Sequence, residues 1–290
     1  MKRIYLLTTE HLEKGLWFRE EDDFKVGMNY VAIEAACRPE VSVLAFILMS
    51  NHVHFVLKGR LEEVTAFVNQ FKQRFAVYYK RKYRVKEHFR RNGLDVKLIP
   101  YDDEAPERAV AYVVMNSVAA NICTFCNQYP WGSGGVYFNP SLARGTCIGD
   151  LSARARKYLL HSSNKVLPED WRMGNDGYIL PENYVDINEV EALFRSPKRL
   201  NYFLNSSSKA RRRLEMAEDH LPAFRDQTIG AALPDLCRSL FQKERYEQLA
   251  PEEQSEFLRQ IRFRFSADVG QIARVCGLTY TETARQLNAV

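Results

Sequence analysis

The stretch Val43-Leu-Ala-Phe-Ile-Leu-Met-Ser-Asn-His-Val-His-Phe-Val-Leu57 decides how the first half of this chain is read. A run this apolar, rich in β-branched and aromatic residues, predicts buried strand. Ser50 and Asn51 interrupt it, so it reads as two strands or one strongly bent strand. Along a strand, residues i and i+2 share a face. His52 and His54 therefore present two imidazoles side by side, with Val53 facing the opposite way. Imidazole is a common ligand for first-row divalent metals. Two such ligands on a rigid strand, with positions left for substrate oxygens, suit a catalytic ion. The competing reading is a pair of hydrogen-bonded histidines on a half-buried strand.

The flanking residues supply the rest of a domain. Residues 3–9 alternate weakly and predict a first strand. Apolar positions Phe24, Met28, Val31, Ala32 and Ala35 predict a helix over 20–37, with Gly27 weakening its first turns. Residues 61–83 predict a long amphipathic helix with Val64, Phe67, Val68, Phe71, Phe75 and Tyr78 on one face. A fourth strand follows at 96–100, then a helix over 106–123 with Pro106 in its first turn. Strand-helix-strand-strand-helix-strand is the split βαβ, ferredoxin-like or RRM-like order. The fold class is α+β: an antiparallel sheet with helices on one face, to which the last helix is added. The turn-rich Trp131-Gly-Ser-Gly-Gly135 ends this first domain, giving bounds of 1–140. Residues 141–230 read as a mixed linker and helical segment without nameable chemistry. It includes short helices at 152–160, 188–194 and 197–204, a loop at 167–184, and the basic stretch Ser206-Ser-Ser-Lys-Ala-Arg-Arg-Arg213. Residues 231–290 read as a helical region broken near Pro251 and Gly277.

Composition narrows the class. Hydrophobic content of 46% and charged content of 27% over 290 residues are those of a soluble globular protein. A net charge of +5 is compatible with a nucleic-acid partner. Six scattered cysteines and an N-terminal Met-Lys-Arg-Ile-Tyr-Leu-Leu without a signal-peptide core predict reduced thiols and a cytoplasmic location. Cys123-Thr-Phe-Cys126 lacks the second pair that structural zinc requires. No uncharged apolar stretch reaches the length of a membrane span, so no membrane partner is expected.

A second group of residues matters as much as the histidines. Tyr112 and Asn116 are four apart, so on a helix they share a face. An Asn carbonyl is a plausible third ligand beside two imidazoles, and a Tyr one turn away then sits near the same ion. Tyrosine is a weak nucleophile at its free pKa of about 10. A metal polarising the scissile phosphate, or a neighbouring base, makes its attack competitive. The competing reading of Tyr112 is a core tyrosine with its hydroxyl at the rim.

Two stretches suggest nucleic-acid contact. Lys72, Arg74, Lys80, Arg81, Lys82, Arg84, Lys86, Arg90 and Arg91 face only Glu87 in opposition, with Phe75, Tyr78, Tyr79, Tyr83 and Phe89 interleaved. Basic groups displace counterions from phosphates, and rings stack on unpaired bases. The alternative is a solvated helix end with its aromatics in the core. Tyr78, Tyr79 and Tyr83 are rival nucleophiles, but none has an Asn at the matching position. The stretch from Val269 to Leu287 fits helix-turn-helix, with Ala273 at the close contact, Gly277 in the turn and Leu278 plugging the core. Its second helix offers Thr279, Tyr280, Thr281, Glu282, Arg285 and Gln286 to a groove. A plain helical packing unit is the alternative.

Met49-Ser-Asn-His-Val-His54 resembles the Met-Pro-Asn-His-hydrophobe-His signature of single-tyrosine HUH transposases. Tyr112-Val-Val-Met-Asn116-Ser-Val-Ala-Ala resembles the Tyr-x-x-x-Asn-Pro-Val-x-Ala helix of the REP-associated tyrosine transposases, and Pro130-Trp131 resembles the Trp-Ser-Ser stretch that follows it. Ser50 and Ser117 stand where prolines are usual, which alters backbone shape more than chemistry. The resemblance covers about residues 1–140 and joins two motifs in the family's order. It implies His52, His54 and Asn116 as ligands of Mg²⁺ or Mn²⁺, and Tyr112 as the nucleophile. The implied activity is a metal-dependent endonuclease and strand-transferase (DNA transposition) on single-stranded or hairpin DNA. The ion would hold a phosphate oxygen, and Tyr112 would attack in line to leave a 3′-hydroxyl and a 5′-phosphotyrosine. Helical C-terminal extensions occur in similar proteins. Two other functions stay open: a DNA-binding regulator that has lost cleavage, and a hydrolytic RNA nuclease. The chain would work as a monomer or homodimer, with Tyr112 serving its own metal or a partner's.

Overall fold

The computed structural model describes residues 2–10, 16–84, 93–101, 104–120, 122–141, 145–162, 166–206, 224–265 and 267–288, without the side chains of 263 and 288. Lys86, Arg90, Arg91 and nearly all of the basic stretch after Ser206 lie outside the described residues.

The first half forms strands β1 (Arg3–Thr9), β2 (Ser42–Met49), β3 (His52–Gly59) and β4 (Leu94–Ile99), with helices α1 (Glu21–Cys37) and α2 (Leu61–Tyr83) between them. The sheet order is β2-β3-β1-β4, and every neighbouring pair is antiparallel. Ser50 and Asn51 are the turn of the β2–β3 hairpin. A helix between β1 and β2 carries the chain over the sheet and leaves the slot that β3 fills.

Helices cover both faces. Phe55 meets Phe67 and Phe71 of α2, each with ring centroids 5.7 Å away. His54, which faces the other way, meets Tyr112 of α3 (Ala105–Val114) at 5.7 Å. The helix expected as an addition thus covers the face that α1 and α2 leave bare. Gly27 is explained by packing: a Cβ there would stand 2.7 Å from Phe18 Cε1 and 2.9 Å from Leu48 Cδ1, so a larger residue would force those buried side chains to shift.

The helix expected over 106–123 is broken. α3 stops at Val114, Met115 adopts φ −82° and ψ 0°, and a single-turn α4 (Asn116–Ala119) resumes. The chain continues through α5 (Ala153–Leu160), the short strands β5 (Thr146–Cys147) and β6 (Arg172–Met173), α6 (Ile187–Phe194) and α7 (Pro197–Ser206). Ile148, Leu160, Ile179, Val190, Phe194 and Phe203 of this stretch are buried in the same hydrophobic cluster as the sheet.

The outer rim of β2 is dressed by later residues. Leu48 N–H donates to Trp131 O at 2.8 Å, and Ser133 N–H donates to Phe46 O at 3.0 Å. The hydroxyls of Tyr129 and Tyr137 donate to the carbonyls of Leu48 (2.7 Å) and Leu44 (2.5 Å). Asp186 N–H donates to Val43 O at 2.8 Å.

Residues 224–288 build a second hydrophobic cluster from Ile229, Leu236, Phe257, Leu258, Ile261 and Ile272, on α8 (Asp226–Phe241), α9 (Pro251–Phe265), α10 (Val269–Cys276) and α11 (Tyr280–Asn288). α8 begins five residues before the helical region expected from 231 and runs through Pro234. Buried Asp226 at its N-terminus accepts from Arg274 Nε at 2.9 Å and from Gln271 Nε2 at 3.0 Å, tying α8 to α10. Gln227 reaches back to the sheet, donating to Phe18 O (3.1 Å) and Ser50 Oγ (3.3 Å). Among the described residues no helix is long and apolar enough to cross a membrane.

Candidate active site

Asn51 of the hairpin turn holds one histidine from behind, and Thr8 of β1 holds the other. The two imidazole rings stand edge to face with centroids 4.7 Å apart. Nδ1–H of His52 donates to Asn51 Oδ1 at 2.9 Å; an amide oxygen only accepts, so the ring proton belongs on Nδ1. Nδ1 of His54 meets Thr8 Oγ1 at 2.9 Å, because Thr8 and His54 are paired residues of β1 and β3. Neighbouring Thr9 Oγ1 accepts from Val53 N–H at 3.1 Å. Polar partners of this kind hold ligating histidines in one tautomer and orientation. Both imidazoles are enclosed: His52 is 7% exposed and His54 2%.

Tyr112 lies across from them. Its ring stands edge to face on His54, 85° between planes, and is half-buried. Asn116 follows one turn later, 5% exposed. Its Nδ2 donates to Tyr112 O (2.9 Å) and Val113 O (3.1 Å), the carbonyls freed where α3 ends. With the NH₂ end spent on the helix, Oδ1 is the end turned away from it. The structure therefore brings His52, His54 and Tyr112 together and ties Asn116 to Tyr112. The donor set, two imidazole nitrogens and one amide oxygen, suits Mn²⁺ and tolerates Mg²⁺. Among the described residues no group of three or more His, Cys, Asp or Glu could hold a metal, so any ion here depends on the amide or on substrate oxygens. Burial pushes the Cys126 thiol up to about 11.

A cavity of about 870 Å³ borders Tyr112, walled by β4, α3 and α7. Sequence reading missed it, because its walls come from three distant segments.

The basic residues of α2 divide sharply. Lys72 is 3% exposed, and burial lowers its pKa. Arg74 pairs with buried Glu34, which also holds Arg38. Lys82 binds Asp23 Oδ1 at 2.8 Å and also pairs with Glu20. Fully buried Asp23 further accepts from Tyr78 OH (2.8 Å) and Tyr83 OH (2.6 Å), so two of the rival tyrosines are held by a carboxylate. Burial first, then the Asp23 charge and hydrogen bond, push both phenols above their ordinary pKa. Lys80, Arg81 and Arg84 remain exposed.

At the C-terminus Gly277 adopts φ +69°, and Leu278 N–H closes the turn on Ala273 O at 2.9 Å. Thr279 Oγ1 accepts from Glu282 N–H at 3.2 Å, and Glu282 Oε2 accepts from Thr279 N–H at 2.9 Å. This reciprocal cap occupies Thr279, whereas Tyr280 and Arg285 are exposed.

Residues 17–94 match the family model described as transposase IS200 like. That segment contains the histidines and ends before Tyr112 and Asn116. Comparison with curated proteins and with solved structures gives no match.

Proposed function

For a chain of the REP/IS200-type single-tyrosine transposase family, which the match over 17–94 supports, we propose a metal-dependent endonuclease and strand-transferase of single-stranded DNA, built on an HUH-type core. One observation carries the reading: the His54 imidazole meets both the His52 ring, at 4.7 Å between centroids, and the Tyr112 ring, at 5.7 Å. In the reading His52, His54 and the Asn116 amide oxygen hold Mn²⁺ or Mg²⁺. With Nδ1 engaged on both rings, Nε2 is the nitrogen each would turn to the ion. When bound, the ion withdraws charge from the scissile phosphate.

The Tyr112 oxygen then bonds to phosphorus while its proton passes to water. The bond from phosphorus to the 3′ oxygen breaks, and that oxygen takes up a proton to become a 3′-hydroxyl. The 5′-phosphotyrosine keeps the energy of the cleaved bond, so a second 3′-hydroxyl can reverse the step and join strands. His52 and His54 are nearly covered, so Tyr112 or α3 shifts as the strand docks. Lys80, Arg81 and Arg84 serve phosphates, whereas Lys72, Arg74 and Lys82 hold the helix in place. Tyr280 and Arg285 on a helix-turn-helix-like pair face duplex DNA, such as a hairpin stem, and Thr279 caps their helix. The chain acts in the cytoplasm.

The test is incubation with hairpin-bearing single-stranded DNA and Mn²⁺, resolved on a denaturing gel. A covalent adduct in the wild type that disappears in Tyr112→Phe supports the reading; an adduct that survives moves the nucleophile elsewhere. The enclosure of both imidazoles favours one rival, a DNA-binding regulator without cleavage. It predicts binding that needs neither Mn²⁺ nor the histidines.

A further inference from the structure

The cavity beside Tyr112 has a composition that the cleavage reading leaves unused. Its floor is apolar, from Leu6, Ile99, Pro100, Ala105 and Ala109. Its mouth carries exposed Lys97 of β4 and exposed Arg108 of α3. Tyr202 of α7 forms the opposite wall, 64% exposed, its ring braced edge-on by Phe203 at 5.5 Å. Glu104 also lines the space; its carboxylate is held by Arg199 of α7 at 2.8 Å and stands 3.8 Å from Arg108 Nη1, and Arg199 reaches Glu107 at 3.1 Å. These ion pairs clasp α7 to the start of α3. At about 870 Å³ the space lies within the usual small-ligand range of about 300–1,000 Å³. An apolar floor, one exposed ring and two cations at the rim match an unpaired base with its phosphates.

We propose that this cavity seats the unpaired nucleotide next to the scissile phosphate, its base stacked on Tyr202 and its phosphates met by Lys97 and Arg108. The proposal rests on Tyr112 being the nucleophile. It assigns substrate positioning to α7, which lies well outside the segment matched by the family model.

The test uses the full chain with Tyr112→Phe, so that bound strand stays uncut. A hairpin-bearing single strand carries 2-aminopurine stepped through each unpaired position. One position is expected to lose fluorescence on binding, and Tyr202→Ala to restore it while weakening the strand about tenfold. Tyr202→Phe keeps the quench. An abasic site at that position makes Tyr202→Ala silent. Lys97→Gln with Arg108→Gln lowers the salt dependence of binding by about two phosphate contacts. A quench indifferent to Tyr202, or equal weakening of strands with and without that base, overturns the proposal.

The adduct assay separates it from its premise. Strand stacking on Tyr202 without any wild-type adduct removes the nuclease reading and leaves the seat in place. Normal adduct formation with Tyr202→Ala unimpaired across strand concentrations does the reverse. A chain that binds no strand overturns both.

Discussion

The side chains behind the histidines control the proposed chemistry as much as the histidines themselves. Thr8→Val keeps the shape of β1 but removes the oxygen at His54 Nδ1. Losing such a partner costs about 10–100-fold in metal affinity. Mn²⁺ titration by calorimetry should show that loss, while adduct still forms at saturating metal. Mn²⁺ should raise the melting temperature of the wild type and leave that of His54→Ala unchanged, a readout independent of cleavage. The pairing of His52 with His54 and of Tyr112 with Asn116 was legible in the sequence because each pair is linked by local periodicity, two along a strand and four along a helix. Thr8 was not, since it meets His54 across 46 residues through strand register. The Asn116 amide shows a further limit. Its side chain ends one helix by capping it, a role that even spacing in sequence does not betray.

Among the elements, α2 shows how a run of cations in sequence divides, once folded, into paired and exposed members. Its apolar face and length follow from periodicity, but the partners of Arg74 and Lys82 sit on or just ahead of α1 and emerge only when the helices pack. Asp23→Ala should cost about 2–4 kcal/mol in urea denaturation, because Lys82, Tyr78, Tyr83 and two backbone amides lose a buried acceptor together. The early start of α8 escaped sequence reading for a related reason. Gly230 and Pro234 look like breakers, yet the buried contacts of Asp226 with Arg274 and Gln271 anchor its first turn. β5 and β6, two residues each, are too short for alternation to reveal.

At the scale of the whole molecule, two hydrophobic clusters divide the stability, one around the sheet and one around α8 to α11. Gly277→Val forces a β-branched residue to φ +69°, at a cost of about 1–2 kcal/mol. Hydrogen exchange should accelerate in α8–α11 and leave β1–β3 protected. Gly132→Ala brings a Cβ to 2.8 Å from Phe46 O and should cost about 1–3 kcal/mol by pushing residues 131–133 off β2. The hydrogen bonds along that rim carry a consequence for self-association. An edge strand with bare amides is a template on which a second chain can polymerise. Here the chain has already spent those groups on its own residues 129–137 and 186, so copies cannot merge into one continuous sheet through β2. Light scattering on Gly132→Ala should therefore reveal clumping that the parent protein resists.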